Sequence, residues 1–197
     1  MLKRTFDIVF SLIGLSIVLI PGLIIALLIV LDSKGGVFYR QKRVGKNGKL
    51  FGIYKFRTML PASDTKGLLT VGSRDTRITR IGYFLRKFKL DELPQLINIL
   101  MGDMSFVGPR PEVEKYVRLY SPEQSLVLSM RPGLTDFASL EYMDENDILQ
   151  QSEDPEQAYI HEIMPHKLKL GLRYVQQQNF FLDIQILMRT AIKIVSR

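Results

Sequence analysis

Residues 89–111 read KLDELPQLINILMGDMSFVGPRP. An adjacent carboxylate pair, Asp91-Glu92, opens what reads as a short apolar helix running to Met101 and closed by Gly102, a residue type common just past a helix end. Pro94 is compatible with that helix only in its first turn, where a missing N–H costs nothing. Arg86, Lys87 and Lys89 precede the pair, and Gly108-Pro109-Arg110-Pro111 follows as a stiff turn whose one long side chain is a guanidinium. A carboxylate beside free backbone donors and several cations suits an incoming phosphate, because the donors and cations offset repulsion between the two anions. Acidic residues in a first helical turn also occur for dipole reasons alone. Taken by itself the pair reads as structural; the whole string points to chemistry.

Upstream, Ser11–Leu31 is 21 residues without a charge, long enough to cross a bilayer as a helix. It is too long for a signal-peptide core and no small-residue cleavage site follows it. Pro21 sits at its centre and predicts a kink or break. Basic residues flank both ends, Lys3-Arg4 before and Lys34, Arg40, Lys42 and Arg43 after, which disfavours a straight crossing. A helix-break-helix that dips into one leaflet and returns satisfies both observations, provided the backbone at the break finds internal partners.

Between these two segments, Val37–Gln41 and Leu50–Met59 read as hairpin strands around the turn Lys46-Asn47-Gly48-Lys49. Strand alternation puts Lys55 and Arg57 on one face, with Tyr54, Phe56 and Thr58 on the other. For Lys55 and Arg57 a phosphate-facing role and plain surface solvation are equally open. Pro61–Ser73 reads as a mobile loop, and Asp75 as the cap of a helix over Arg77–Phe88. Residues 112–130 read as a helix pair around Ser121-Pro122, and Arg131-Pro132-Gly133 as a second rigid turn. The acid-rich run Asp136–Glu156 reads mostly as a solvated face. His161 and His166, near Pro165, read as packed or surface side chains. From Lys167 onward the pattern is amphipathic, with Phe180-Phe181 placed to insert at headgroup depth.

Charge is distributed unevenly. Residues 1–90 carry 17 Lys/Arg against 4 Asp/Glu, a balance of +13, whereas residues 91–197 carry 10 against 16, a balance of −6. The first half therefore faces something anionic: phosphate substrates, acidic lipid or nucleic acid. With no Cys and only two His, a thiolate nucleophile and a His-rich metal site are excluded, and any metal is a hard ion on oxygen ligands.

Five runs, Tyr54–Met59, Asp75–Gly82, Leu90–Leu96, Gly102–Pro111 and Arg131–Thr135, recur in the order seen in the bacterial sugar transferases, the monotopic phosphoglycosyl transferases, which the chain resembles over residues 54–135 and in its apolar N-terminus. The resemblance implies a mostly helical α+β fold: a Pro-broken re-entrant anchor over residues 1–34, then a cytosolic catalytic domain over 35–197 with interfacial amphipathic helices. It implies an enzyme on the cytoplasmic face of the bacterial inner membrane. Its partners would be membrane lipids, a UDP-sugar donor and a polyprenol phosphate acceptor, with nucleic acid excluded. Asp91 would attack the sugar-bearing phosphate, expel UMP and pass the phosphosugar to the acceptor, with Glu92 assisting. Asp91 and Glu92 would also hold Mg²⁺. Arg86, Arg110, Pro111 and Arg131 would line the phosphate site with Lys55 and Arg57, and Asp103 would orient an arginine or cap the segment after Gly102.

Many relatives continue after the position of Thr135 with Gly-Trp-Ala-Gln and then Asn-Gly-Arg. This chain reads Asp136-Phe137-Ala138-Ser139-Leu140-Glu141, and the acidic run predicts discrimination against anionic sugars such as uronic acids. Two other classes stay open: a membrane-bound basic module that binds without catalysis, and a transferase using direct displacement. The identity of the sugar and the oligomeric state, homo-oligomers included, are not encoded in any motif.

Overall fold

The computed structural model describes residues 1–63, 67, 69–72 and 75–196. The expected loop Pro61–Ser73 therefore lies partly outside the described residues. In chain order the elements are α1 (Leu2–Asp32), β1 (Phe38–Val44), β2 (Leu50–Phe56), α2 (Arg80–Lys87), α3 (Gln95–Met101), β3 (Ser105–Val107), α4 (Glu114–Val117), β4 (Gly133–Thr135), α5 (Phe137–Glu141), α6 (Glu145–Gln150), α7 (Pro155–Ala158), α8 (Met164–Gln177) and α9 (Phe180–Val195). This is the mostly helical α+β chain expected, with two small two-stranded sheets.

Among the described residues, α1 is the one helix long and apolar enough to cross a membrane, with a mean hydropathy of 2.9 over its most apolar window. The break expected at Pro21 is not a gap: helix α1 runs continuously from Leu2 to Asp32 with Pro21 inside it. Pro21 removes one amide from the ladder, but packing holds the helix on both sides of it. Leu15 and Val18 lie against the cluster of Phe51, Ile53, Leu96, Ile99 and Met104, while Ile25 and Ile29 are buried with Phe56 and Leu85.

Both ends of α1 are bonded to the same body. Lys3 Nζ donates to Asp183 Oδ2 (2.7 Å) and the Val107 carbonyl (2.8 Å), and Arg4 donates to the Ile99 and Leu100 carbonyls at the end of α3. Asp7 is buried and accepts from Ser105 Oγ and Phe106 N. At the far end, Asp32 Oδ2 accepts from Ile81 N, at 3.0 Å, in the first turn of α2. The outward face is left apolar, with Ile17, Leu19, Ile20, Leu23 and Leu31 all more than 60 % exposed.

Arg57 explains how α1 hands over to the hairpin. Strand β2 ends at Phe56, so the alternation that would place Arg57 beside Lys55 stops one residue short. Its guanidinium is buried, donating to the Gly36 and Ser33 carbonyls, to Ser33 Oγ and at 3.5 Å to the Ile29 carbonyl. A cation there bonds the backbone that leaves the C-terminus of α1 and complements the helix dipole, in addition to the Ser33 N–H that already caps the Ile29 carbonyl. Arg57→Ala is expected to lower stability by about 2 kcal/mol, because the hydrogen bonds of a buried guanidinium to Ser33 and Gly36 are lost together. A thermal melt in detergent reads this, and an unchanged midpoint would contradict it.

The antiparallel hairpin pairs Phe38 with Phe56 and Val44 with Leu50, and Asn47 and Gly48 take the positive φ that a tight turn of this kind needs (55° and 77°). Strands β3 and β4 are parallel, Ser105 opposite Gly133 and Val107 opposite Thr135. Just beyond them the two Pro-containing turns meet backbone to backbone. Gly133 N donates to the Pro109 carbonyl and Gly108 N to the Thr135 carbonyl. A Cβ on Gly133 would fall 2.1 Å from Gly108 N, so neither glycine tolerates a side chain. Helix α2 starts later than the sequence predicts, with Thr79 rather than Asp75 capping it by accepting from Gly82 N. Asp75 instead pairs with Arg77, at 2.6 Å, and Arg77 Nη atoms take the Gly67 and Leu69 carbonyls.

Candidate active site

The acidic pair is presented by a short connection between α2 and α3. Lys89 adopts a left-handed conformation (φ 57°, ψ 19°), and Leu90–Glu92 then make one 3₁₀ turn before Pro94 starts α3. The expected single helix is thus two pieces, and Gly102 closes the second with φ 92° as its position demands. A non-glycine residue held at positive φ stores strain that the surrounding packing must impose; here it swings Asp91 and Glu92 toward β2. Asn98, fully buried on α3, fixes that approach by accepting from Tyr54 N and donating to the Gly52 carbonyl, both at 2.9 Å. Lys55 is thereby set opposite the pair.

Glu92 Oε1 accepts from Lys55 Nζ at 2.8 Å and from Arg110 Nη2 at 2.6 Å. Burial alone would push its carboxyl up, but Arg110 and then Lys55 outweigh that and hold it well below the usual carboxylate range. Asp91 behaves oppositely. Burial, reinforced by the neighbouring Glu92 charge, raises its carboxyl above the ordinary value against the pull of Lys55. Its nearest cation, Lys55, stands 4.0 Å away, and no described residue donates a hydrogen bond to it. Asp91 is 7 % exposed, and what it exposes opens into a cavity. The pair therefore divides into one carboxylate locked as a fixed charge and one left with free lone pairs.

That cavity has a volume of about 840 Å³, within the usual range for small-molecule sites of roughly 300–1,000 Å³. Arg86 and Lys89 line it too, burial lowering the pKa of each. Arg86 donates to Thr70 Oγ1 at 3.0 Å. Arg110 is aimed by its own turn: Asp136 is buried, caps α5 by accepting from Ser139 N, and also accepts from Arg110 N. Arg43 braces the same turn from β1, donating to the Pro111 carbonyl and to Glu112.

The structure thus gathers Lys55, Arg86, Asp91, Glu92, Arg110 and Pro111 around one cavity. It does not bring Arg57, Asp103 or Arg131 there. Arg57 serves the helix end described above. Arg131 is exposed and donates to the Gly102 carbonyl at 2.8 Å, and Asp103 joins the close of α3 through its backbone N–H. Nor is the acidic run simply a solvated face, since Asp136 is a buried cap and Asp144, Glu145 and Asp147 border the cavity. The expectation that the acidic run bears on the sugar agrees with this placement, whereas nothing in the local sequence points to Arg43; Lys89 stands beside the motif. His161 and His166 stay outside the cavity, bonded to Gln157 and Tyr142.

A buried carboxylate without a hydrogen-bond donor among the described residues, beside one that is firmly paired and with four cations lining the same cavity, defines a class of site: one suited to an anionic phosphate group meeting a carboxylate. The comparisons with known proteins point the same way. Residues 1–197 match the family model described as bacterial sugar transferase. The chain is 36 % identical over 194 residues to the uncharacterized sugar transferase EpsL of Bacillus subtilis (strain 168), covering 98 % of this chain and 87 % of that protein. It is 34 % identical over 198 residues to the UDP-glucose:undecaprenyl-phosphate glucose-1-phosphate transferase of Escherichia coli (strain K12), covering 98 % of this chain and 40 % of that longer one. The UDP-N-acetylgalactosamine-undecaprenyl-phosphate N-acetylgalactosaminephosphotransferase of Aeromonas hydrophila is 33 % identical over 192 residues, covering 96 % and 42 % respectively. The chain belongs to the bacterial sugar transferase family and is a phosphoglycosyl transferase.

Proposed function

We propose that the chain moves a phosphosugar from a UDP-sugar to a membrane polyprenyl phosphate through a covalent intermediate on Asp91. The observation that carries this reading is the contrast within the acidic pair: Asp91 keeps free lone pairs toward the cavity while Glu92 is committed to Lys55 and Arg110. An Asp91 oxygen attacks the sugar-bearing phosphorus, the phosphoanhydride bond breaks, and UMP leaves with that bond's electron pair. An oxygen of the polyprenyl phosphate then attacks the same phosphorus and releases Asp91 as a carboxylate. Splitting one displacement into two in this way is the usual gain from a covalent nucleophile. Lys55, Arg86, Lys89 and Arg110 offset the charge gathered around the phosphorus, which is most of what phosphoryl transfer requires of a protein.

The acidic pair fits a Mg²⁺ ion. That ion commonly takes one or two protein carboxylates and completes its shell with phosphate and water; Asp91 and Glu92 Oε2 are without hydrogen-bond donors among the described residues. When bound, it supplies further charge neutralisation on the diphosphate. No cluster of three or more metal-ligating side chains occurs among the described residues, so its remaining ligands would come with the substrate.

Helix α1 is read as a membrane anchor over residues 1–34 that does not cross, since both its ends, each flanked by basic residues, bond to the same catalytic body. That body, residues 35–197, then sits on the cytoplasmic face of the bacterial inner membrane, where a soluble donor and a lipid acceptor can meet, at the start of surface-glycan assembly.

Asp144 and Asp147 border the cavity together with Glu145, which Lys167 pairs at 2.7 Å, and this acid-rich rim is expected to disfavour an anionic sugar. With full-length protein in detergent, polyprenyl phosphate and Mg²⁺, UMP release is expected from neutral UDP-hexose or UDP-N-acetylhexosamine donors. Release from UDP-uronates is expected to be lower by about tenfold. No UMP from any donor would overturn the transferase reading at this site, and a uronate preference would overturn the acidic-border account alone.

A further inference from the structure

Away from the carboxylates the same cavity turns apolar. Leu96, Phe106 and Leu134 line it from α3, β3 and β4, and Leu187, Ala191 and Ile194 line it from α9. The two walls are joined by a Thr135–Thr190 hydroxyl contact of 2.8 Å. The three α9 residues are spaced i, i+4, i+7, which makes one stripe along the helix. A second stripe, Asp183 and Ile186, is buried in the core. A third, Phe181, Met188, Ile192 and Val195, is 60–87 % exposed, with no described part of the chain covering it. Gln185, Arg189 and Lys193 occupy the opposite side, so on helical geometry the surface between the cavity stripe and the exposed stripe passes over Phe180 and Ile184 and meets no charge. Helix α9 thus carries unbroken apolar surface from outside the protein into the cavity.

The geometry points to this apolar lobe as the seat of the first isoprene units of the lipid acceptor, whose chain enters sideways from the bilayer over α9. The inference rests on the transferase reading above and adds to it the acceptor's route. The polarity of the cavity matches that of such a ligand end to end. Lys55, Arg86, Lys89 and Arg110 take an anionic phosphate, and the lobe takes the hydrocarbon attached to it. A UDP-sugar has no part that would fill the lobe; its polar approach is the border formed by Tyr142, Glu145 and Asn146.

Two measurements test the route in full-length enzyme held in lipid nanodiscs. Ala191 is exposed at the mouth, so Ala191→Trp narrows the lobe without entering the core. It is expected to raise the KM for undecaprenyl phosphate by about tenfold and to leave the KM for the UDP-sugar within about twofold; an unchanged acceptor KM overturns the proposal. Undecaprenyl phosphate carrying a diazirine in its first isoprene unit is expected to label the peptide containing Leu187–Ile194, with the label removed by excess unlabelled lipid. Competed label found only on α1, or no competed label, overturns it as well. The crosslink needs no turnover, so failure of the lobe shows as missing α9 label, while failure of the transferase reading shows as absent UMP release by the wild type.

Discussion

Asp91→Asn is expected to abolish turnover, by at least about 10³-fold, while leaving the protein as stable as the wild type or more so. The two halves of that expectation have the same origin. Burial raises the Asp91 carboxyl above its ordinary range, with Glu92's charge adding to the effect. A group whose folded pKa lies above its unfolded value is one whose ionisation the fold opposes. Its contribution to stability is intact below the unfolded value and is lost as pH rises through the folded one. A neutral amide of the same shape removes that opposition, so the thermal midpoint at neutral pH should hold or rise. The amide lacks a nucleophilic oxygen of useful strength, so chemistry stops. Turnover by UMP release, run beside a thermal melt, checks both halves. Activity that survives would contradict the assignment of Asp91. A collapse in stability would make the residue structural.

Arg110→Ala is expected to reduce kcat/KM by about 10²- to 10³-fold and to move the acid limb of the pH profile upward. Arg110 holds Glu92 at 2.6 Å and is the foremost reason that Glu92 stays ionised against its burial. Without the guanidinium, Glu92's carboxyl rises toward the pH range in which the enzyme works. Its charged form, present above the folded pKa, is then lost at a higher pH than in the wild type. The turn itself should survive, because Gly108 and Gly133 lock it by backbone contact and Arg43 holds the Pro111 carbonyl. Lysine at 110 should restore only part of the loss, since a point charge does not reproduce the guanidinium's geometry. A pH–rate profile with an unmoved acid limb would contradict this account.

What the sequence made legible was local. The hairpin, the helix closed by Gly102 and the cation-flanked acidic pair each declare themselves within a few residues, and the structure keeps them. Arg57 was lost because strand alternation carries no information about where a strand ends; one residue past Phe56 the side chain belongs to the end of α1. Arg131 follows the same logic. Its Pro-Gly turn exists so that Gly133 can lie on Gly108, which says nothing of where the arginine points, and it points to the Gly102 carbonyl. The acidic run is legible in part: its departure from the family pattern points to the sugar, but its composition does not separate buried from bordering residues. Composition gives a solvated face, but packing puts Asp136 under Arg110 and the start of α6 on the cavity border. At Pro21 a local rule for helix breaking met packing on both sides of the proline, and the helix stayed continuous. The α9 stripe that lines the cavity was hidden within a pattern read only as amphipathic.

A covalent step on Asp91 is read from the intact mass of the detergent-solubilised protein after incubation with UDP-sugars and Mg²⁺ in the absence of any lipid acceptor. A nucleophilic Asp91 gives a stable increase by the mass of one phosphosugar, release of UMP, no increase in Asp91→Asn, and loss of the adduct when polyprenyl phosphate is added. UMP release that needs the lipid and leaves no adduct at any time would contradict the covalent step and assign the reaction to direct displacement.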